Sequence, residues 1–235
     1  MPTRATLAPL DPARPVVDQL RERVAAMERR PAREAVPTLP GLADLVPLHA
    51  GATYGVDSAA LALALAAGAS REGEWVGFAG CTDFGAEAAA ELGVALERTV
   101  VVPDPGEHWL EVTAALVDVL RVVVLRPPAH LDGRVDARAA GILDSRLRTR
   151  SAVLVVHGDW PRVEARIGVE ESHWTGPGAG EGRLVERRTR IVVRRGTRPP
   201  VRADLTWPGV HRVAPVPTAV PTAVHTAVPL EMTGS

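Results

Sequence analysis

Between residues 45 and 156 short apolar runs alternate with segments whose apolar positions recur every three or four residues. The runs at 45–49, 75–79, 99–102, 122–125 and 152–156 are apolar on both sides of a pleat, as strands buried on two faces are. Residues 58–67, 86–92, 108–120 and 136–147 between them carry helical periodicity. This rhythm predicts repeated βαβ units around a parallel sheet. The weakest strand is 45–49, because Pro47 has no N–H for a ladder. After Gly158 the runs lengthen and become half polar, at 163–169, 184–193 and 201–205, with a Gly-rich turn at 176–182. These read as antiparallel strands added to one edge of the sheet.

Both ends differ from this middle. Val16, Val17, Leu20, Val24 and Met27 fall on one helical face, with Arg21, Glu22, Arg23, Glu28 and Arg29 around it, so 15–30 reads as an amphipathic helix. Pro31, Pro37, Pro40 and Gly41 then punctuate a linker. At the other end Pro-Thr-Ala-Val repeats at 217–220 and 221–224, a low-complexity composition that cannot fill a core and reads as disordered. The expected organisation is a helical extension and linker at 1–40, one α/β domain at 41–213, and a tail at 214–235.

Composition narrows the setting. The 235 residues are 46% hydrophobic, enough for one α/β domain with a sizeable core. A net charge of -1 gives no whole-molecule pull toward nucleic acid or anionic lipid, so a polyanion site would have to be local. Every basic residue among the 27 is arginine, which removes lysine chemistry. The lone Cys81 excludes an internal disulfide and a cysteine zinc site. Residues 1–15 lack the apolar stretch of a signal peptide, and the apolar run at 59–69 is shorter than the ~20 residues a membrane span needs. A cytoplasmic setting is expected.

Open α/β sheets bind ligands at the carboxyl ends of their strands. There, 49–58 stands where nucleotide hydrolases carry a phosphate loop, with Gly51, Thr53, Gly55, Asp57 and Ser58 as its remnants. A working loop needs a lysine on the β/γ-phosphates and a hydroxyl on magnesium. No cation lies between His49 and Ser58, and Asp57 would repel phosphate. The bland alternative is a strand-to-helix turn with Asp57 or Ser58 capping the helix. The run 122–125 ends in Arg126-Pro127-Pro128 where such hydrolases place a metal-holding aspartate, so a cation stands where magnesium needs an anion. Asp83, after the second strand, is the candidate catalytic carboxylate, with neither lysine nor metal to act on.

Arg183, Arg187, Arg188, Arg190, Arg194, Arg195, Arg198 and Arg202 crowd one β-ribbon. They could contact DNA phosphates or an acidic partner through guanidinium pairing. They could equally keep an edge strand soluble, partly neutralised by Glu181 and Glu186. Period two puts Arg188 and Arg190 on one face and Arg187 on the other. Cys81, at a strand end, stands where a nucleophile could, but a small buried thiol is the commoner outcome. The seven histidines lack paired zinc-ligand spacing. The five tryptophans read mostly as core anchors, an exposed one being a natural interface hot spot.

Several stretches, in order, resemble the actinobacterial ImuA-prime family: Ser58-Ala-Ala-Leu-Ala-Leu-Ala-Leu-Ala-Ala67, Gly73-Glu-Trp-Val76, 89–98, Val122-Val-Val-Leu-Arg-Pro-Pro128, 152–156 and Trp207-Pro-Gly209. The resemblance covers about residues 40–210. It implies a RecA-like domain without intact nucleotide motifs. It also implies a role in the SOS-induced mutasome beside ImuB, an inactive Y-family polymerase that binds the sliding clamp, and an alternative replicative polymerase that performs translesion synthesis. It supplies no catalytic residues. The sequence therefore predicts a RecA-like α/β protein with no cofactor and no metal, a non-enzymatic scaffold that binds ImuB and possibly RecA or DNA. A SulA-like cell-division inhibitor and an ATP-dependent RecA-like repair regulator are the alternatives.

Overall fold

The computed structural model describes residues 15, 17–18, 33–131, 135–176, 185–207 and 210–213, the last three without their side chains. Nearly all of the expected 15–30 helix, Arg183 with most of the Gly-rich turn, and the 214–235 tail lie outside these residues.

A small antiparallel pair opens the described chain, β1 (Ala35–Val36) with β2 (Leu48–His49), and α1 (Pro40–Ala43) lies between them. The expected strand at 45–49 is thus cut to its last two residues and stands outside the main sheet. Pro47 has no N–H to offer a ladder, while Leu45, Val46 and Leu48 are still buried in the core. The first parallel strand is instead β3 (Thr53–Val56), all four residues buried.

From there the βαβ reading holds: α2 (Ala59–Arg71), β4 (Val76–Ala79), α3 (Ala86–Glu91), β5 (Thr99–Val102), α4 (Trp109–Val119), β6 (Val122–Leu125), α5 (Ala137–Arg150) and β7 (Val153–His157). The C-terminal strands are β8 (Ala165–Thr175), β9 (Glu186–Arg194), β10 (Val201–Trp207) and β11 (His211–Val213). All nine strands from β3 onward form one sheet, ordered β5-β4-β6-β7-β3-β8-β9-β10-β11. The fold is RecA-like: three layers around a mostly parallel sheet.

Period two divides each central strand between two cores. Val122 and Val124 of β6 pack on the α2 side with Tyr54, Phe78 and Leu65. Val123 and Leu125 face Leu116, Val117, Leu143 and Leu147 of α4 and α5. Continuous valine runs are therefore required here rather than alternation. The α5 start is set by Asp136, whose carboxylate accepts from the Arg138 N–H at 3.1 Å.

One pairing departs from expectation. β8 is parallel to β3, with Tyr54 opposite Ala165 and Val56 opposite Ile167; antiparallel pairing starts only at β9. A parallel crossover ordinarily needs a dozen residues, yet only 158–164 joins β7 to β8. The short connection has to step back only from the level of Val56, where β7 ends, to that of Tyr54, where β8 begins, before β8 runs on past β3. Residues 168–175 overshoot the sheet by roughly 26 Å at ~3.3 Å per residue, and β9 and β10 pair alongside them as a projecting blade.

Gly68 in the middle of α2 is explained by close approach. An added Cβ there would lie 2.3 Å from Thr38 Cα and 2.6 Å from the Pro37 carbonyl oxygen. Alanine gains about 1 kcal/mol over glycine in an open helix, but buried Val36 and Leu39 pin the 37–38 backbone against α2. Gly68→Ala is therefore expected to destabilise the domain by about 1–3 kcal/mol in urea unfolding. A gain in stability would contradict this packing.

Candidate functional site

The chain leaves β4 toward β5 on one side and returns to β6 on the other, so the carboxyl ends of β4 and β6 flank a topological switch point. Two clefts open there. One is apolar, walled by Leu63, Phe78, Phe84 and Val124 with Cys81 and His157 at its rim, and has room for only about 40 Å³. Phe78 and Phe84 lie with ring centroids 4.7 Å apart. The other, of about 440 Å³, lies beyond β5, β4 and β6 between Pro103, Pro105, Arg126, Pro127 and Pro128.

The region read as a phosphate-loop remnant is differently built. Gly51 belongs to the turn before β3, at φ +77°, and Thr53 and Gly55 are inside β3 itself. Only Asp57 and Ser58 connect β3 to α2. A phosphate loop takes about eight residues to wrap its anion; two residues cannot encircle one. The strand-to-helix turn of the alternative reading is present, with Ser58 at the N-cap position of α2, but without a side-chain cap hydrogen bond. The Asp57 carboxylate instead accepts the Val169 N–H of β8, at 3.1 and 3.0 Å to its two oxygens. Gly168 makes room, because a Cβ there would stand 2.7 Å from Asp57 Oδ2. Thr53 is also structural, its hydroxyl donating to Asp144 Oδ1 at 3.2 Å.

Arg126 and Asp83 meet. The Arg126 Nη1 donates to both Asp83 oxygens, at 3.0 and 3.1 Å, across the ends of β6 and β4. A bond from its own backbone, and then Arg126, hold the Asp83 carboxyl below its ordinary range. The cation that replaced a metal-binding aspartate thus pairs with the one carboxylate expected to do chemistry. Gly80 permits the approach of the two strand ends: at φ +75°, a Cβ on it would lie 2.1 Å from the Arg126 carbonyl oxygen. Beside them, burial, and secondarily the Asp83 charge, push the Cys81 thiol up to about 11. A thiol so protonated is a poor nucleophile. Among the described residues no cluster of three His, Cys, Asp or Glu could hold a metal ion, and no helix is long and apolar enough to cross a membrane.

The arginines of the blade do not converge. Arg190 pairs with Asp204 at 2.9 Å and Glu171 at 3.2 Å. Arg202 grips Glu170 bidentately at 2.8 and 3.0 Å, with Arg194 3.9 Å from the same carboxylate. Arg188 reaches Asp204 at 4.0 Å. These pairs depress the Asp204 and Glu170 carboxyls, through the Arg190 and Arg202 hydrogen bonds respectively. The neutralising partners are therefore Glu170, Glu171 and Asp204. Glu186 makes no such pair among the described residues, and Glu181 lies outside them. Arg195 donates to the Leu45 carbonyl, a structural tie.

Arg187 faces the other way. Its guanidinium lies 5.5 Å from the Trp174 ring centroid and its Nε donates to Ser172 Oγ at 2.6 Å. Of the five tryptophans, Trp109, Trp160 and Trp207 are buried, while Trp75 is 46% and Trp174 54% exposed. Sequence reading missed the pairing of Trp174 with Arg187; the register that aligns them is set only by the β8–β9 ladder.

Residues 41–162 match the family model described as the MT3502 N-terminal domain. The chain is also similar to the uncharacterized protein Rv3395c of Mycobacterium tuberculosis, at 32% identity over 157 residues, which is 64% of this chain and 74% of that one.

Two outcomes follow from these charges. Alkylation of Cys81 by iodoacetamide at pH 8 should run roughly a hundredfold slower than that of an ordinary thiol and accelerate through about pH 11; ordinary reactivity would contradict its burial. The blade carboxyls are depressed in the fold, so the stability they lend is present above the ordinary value of about 4 and lost as pH falls through the folded one. Hydrogen exchange on acidification should open β9 and β10 before β6 and β7; simultaneous opening would count against ion pairs holding the blade.

Proposed function

The chain belongs to the MT3502 N-terminal domain family, and on that footing we propose that it is a non-catalytic accessory protein of the ImuA-prime kind. In this reading it acts in the cytoplasm as a scaffold of the SOS-induced mutasome. It binds an ImuB-like inactive polymerase, and through it meets the sliding clamp and an alternative replicative polymerase. The observation that carries the reading is the two-residue Asp57–Ser58 connection. It removes the backbone N–H cradle a triphosphate needs, while Arg126 and Asp83 satisfy each other across the neighbouring strand ends. A RecA-like domain without that cradle has only its surfaces to work with.

The blade is the favoured surface, and protein is favoured over DNA as its partner. Arg188, Arg190, Arg194 and Arg202 would have to leave carboxylates to reach phosphates. Binding DNA there would exchange one set of ion pairs for another. Direct contact with RecA or DNA is secondary in this reading.

Two measurements test it. A nucleotide held at a hundred times its Kd would add about 2.7 kcal/mol of stability, a shift of several degrees. The purified chain is expected to show no shift with ATP and magnesium and no phosphate release. It is also expected to co-purify with the co-expressed inactive polymerase. A nucleotide shift with turnover, or no capture of the polymerase, would overturn the proposal.

A further inference from the structure

Among the described residues, β8 carries a strand edge that nothing in its own sheet covers. β3 pairs with it only at Ala165–Ile167, the Asp57 carboxylate takes the Val169 N–H, and Glu170 to Thr175 are all exposed. Among the described residues no strand lies against that stretch. A bare strand edge of this length is a template for another strand. Natural sheets usually close or twist such edges away. Here the β8–β9 register shifts once, between Val169 and Glu171, and β8 then stays extended to Thr175, with an aromatic side chain standing beside the open ladder.

The two faces of this edge differ in charge. On one, Glu170 and Glu171 are already matched by Arg202, Arg194 and Arg190. On the other, Trp174 is 54% exposed, and Arg187 above it has no carboxylate within 4.0 Å among the described residues. Trp207 lies in the same cross-strand row, opposite Arg187, and is buried. That face offers apolar area and a cation with no carboxylate partner among the described residues. An incoming strand fits it by bringing an apolar side chain and a carboxylate. A second copy of this chain paired edge to edge would bring only Ser172 and Trp174 to that face, with no carboxylate.

We propose that the free edge of β8 at Glu170–Thr175 is a docking site for an extended segment of a partner protein that carries an apolar and an acidic side chain two residues apart, on one face of its strand. The segment adds as a strand through main-chain hydrogen bonds, packs on Trp174 and places a carboxylate on Arg187. This rests on the accessory reading, and it specifies how the partner is held.

The test uses the full chain and two synthetic peptides of roughly nine residues, a Val/Glu peptide repeating Thr-Val-Thr-Glu and a Val/Lys peptide repeating Thr-Val-Thr-Lys, so that both residue types of interest fall on one face. The Val/Glu peptide is expected to bind and to slow hydrogen exchange at 170–175. Trp174→Ala should weaken that binding by about tenfold or more, and Arg187→Glu should reverse the preference toward Val/Lys. Trp174 is exposed and Arg187 half-buried, and unchanged unfolding midpoints will certify the variants. Equal binding of the two peptides, protection elsewhere, no binding, or a concentration-dependent dimer protected at 170–175 would each overturn the proposal. The same variants separate it from the reading beneath it. If the double variant still captures the inactive polymerase, the edge is not its dock although the accessory role stands. If the native chain captures no polymerase yet binds Val/Glu as described, the edge stands and the accessory role falls.

Discussion

Much of this molecule depends on where β3 stops and what meets it there. The Asp57 carboxylate, held by the Val169 N–H, ends the β3–β8 pairing at the residue where α2 is about to begin. A longer loop at this point would have enclosed an anion with backbone donors. A short one with a carboxylate gives the donor of the next strand an acceptor instead. The same contact lets β8 continue past β3 paired only with β9, with a glycine at 168 because no Cβ fits beside Asp57.

Charge in this protein is handled by pairing across strands and not by accumulation. Arg126 and Asp83 join two strand ends, and Glu170, Glu171 and Asp204 each sit among blade arginines. Exposed pairs of this kind contribute little stability singly. Their effect is to leave the blade's charged face close to neutral, with Arg187 and Trp174 standing apart on the opposite face. An arginine-rich stretch therefore need not be a polyanion site; its carboxylates come from strands distant in sequence.

Legibility followed the range of the forces involved. The strands at 76–79, 122–125 and 153–157, the half-buried edge strand at 99–102 and the helices between them were readable, because burial forces continuous apolar runs in strands and a three-to-four spacing in helices. Around 48–58 the reading failed. Gly51 and Gly55 mimic loop glycines by spacing, and only tertiary pairing shows Gly55 facing Val163 and Arg166 within a buried strand. Likewise nothing local distinguishes β8 as parallel, since its direction is set by its partner.

By itself the sequence determined the α/β class, the order of most elements, the absence of lysine from any phosphate site and the presence of a cation after β6. These depend on residue type and periodicity, which local chain carries. Only the tertiary structure decided that the first crossover has two residues, that Arg126 answers Asp83, that the blade arginines are matched by Glu170, Glu171 and Asp204, and that Trp174 flanks an open edge. Each of those is a distance between residues far apart along the chain, and such distances exist only once strand register has been chosen.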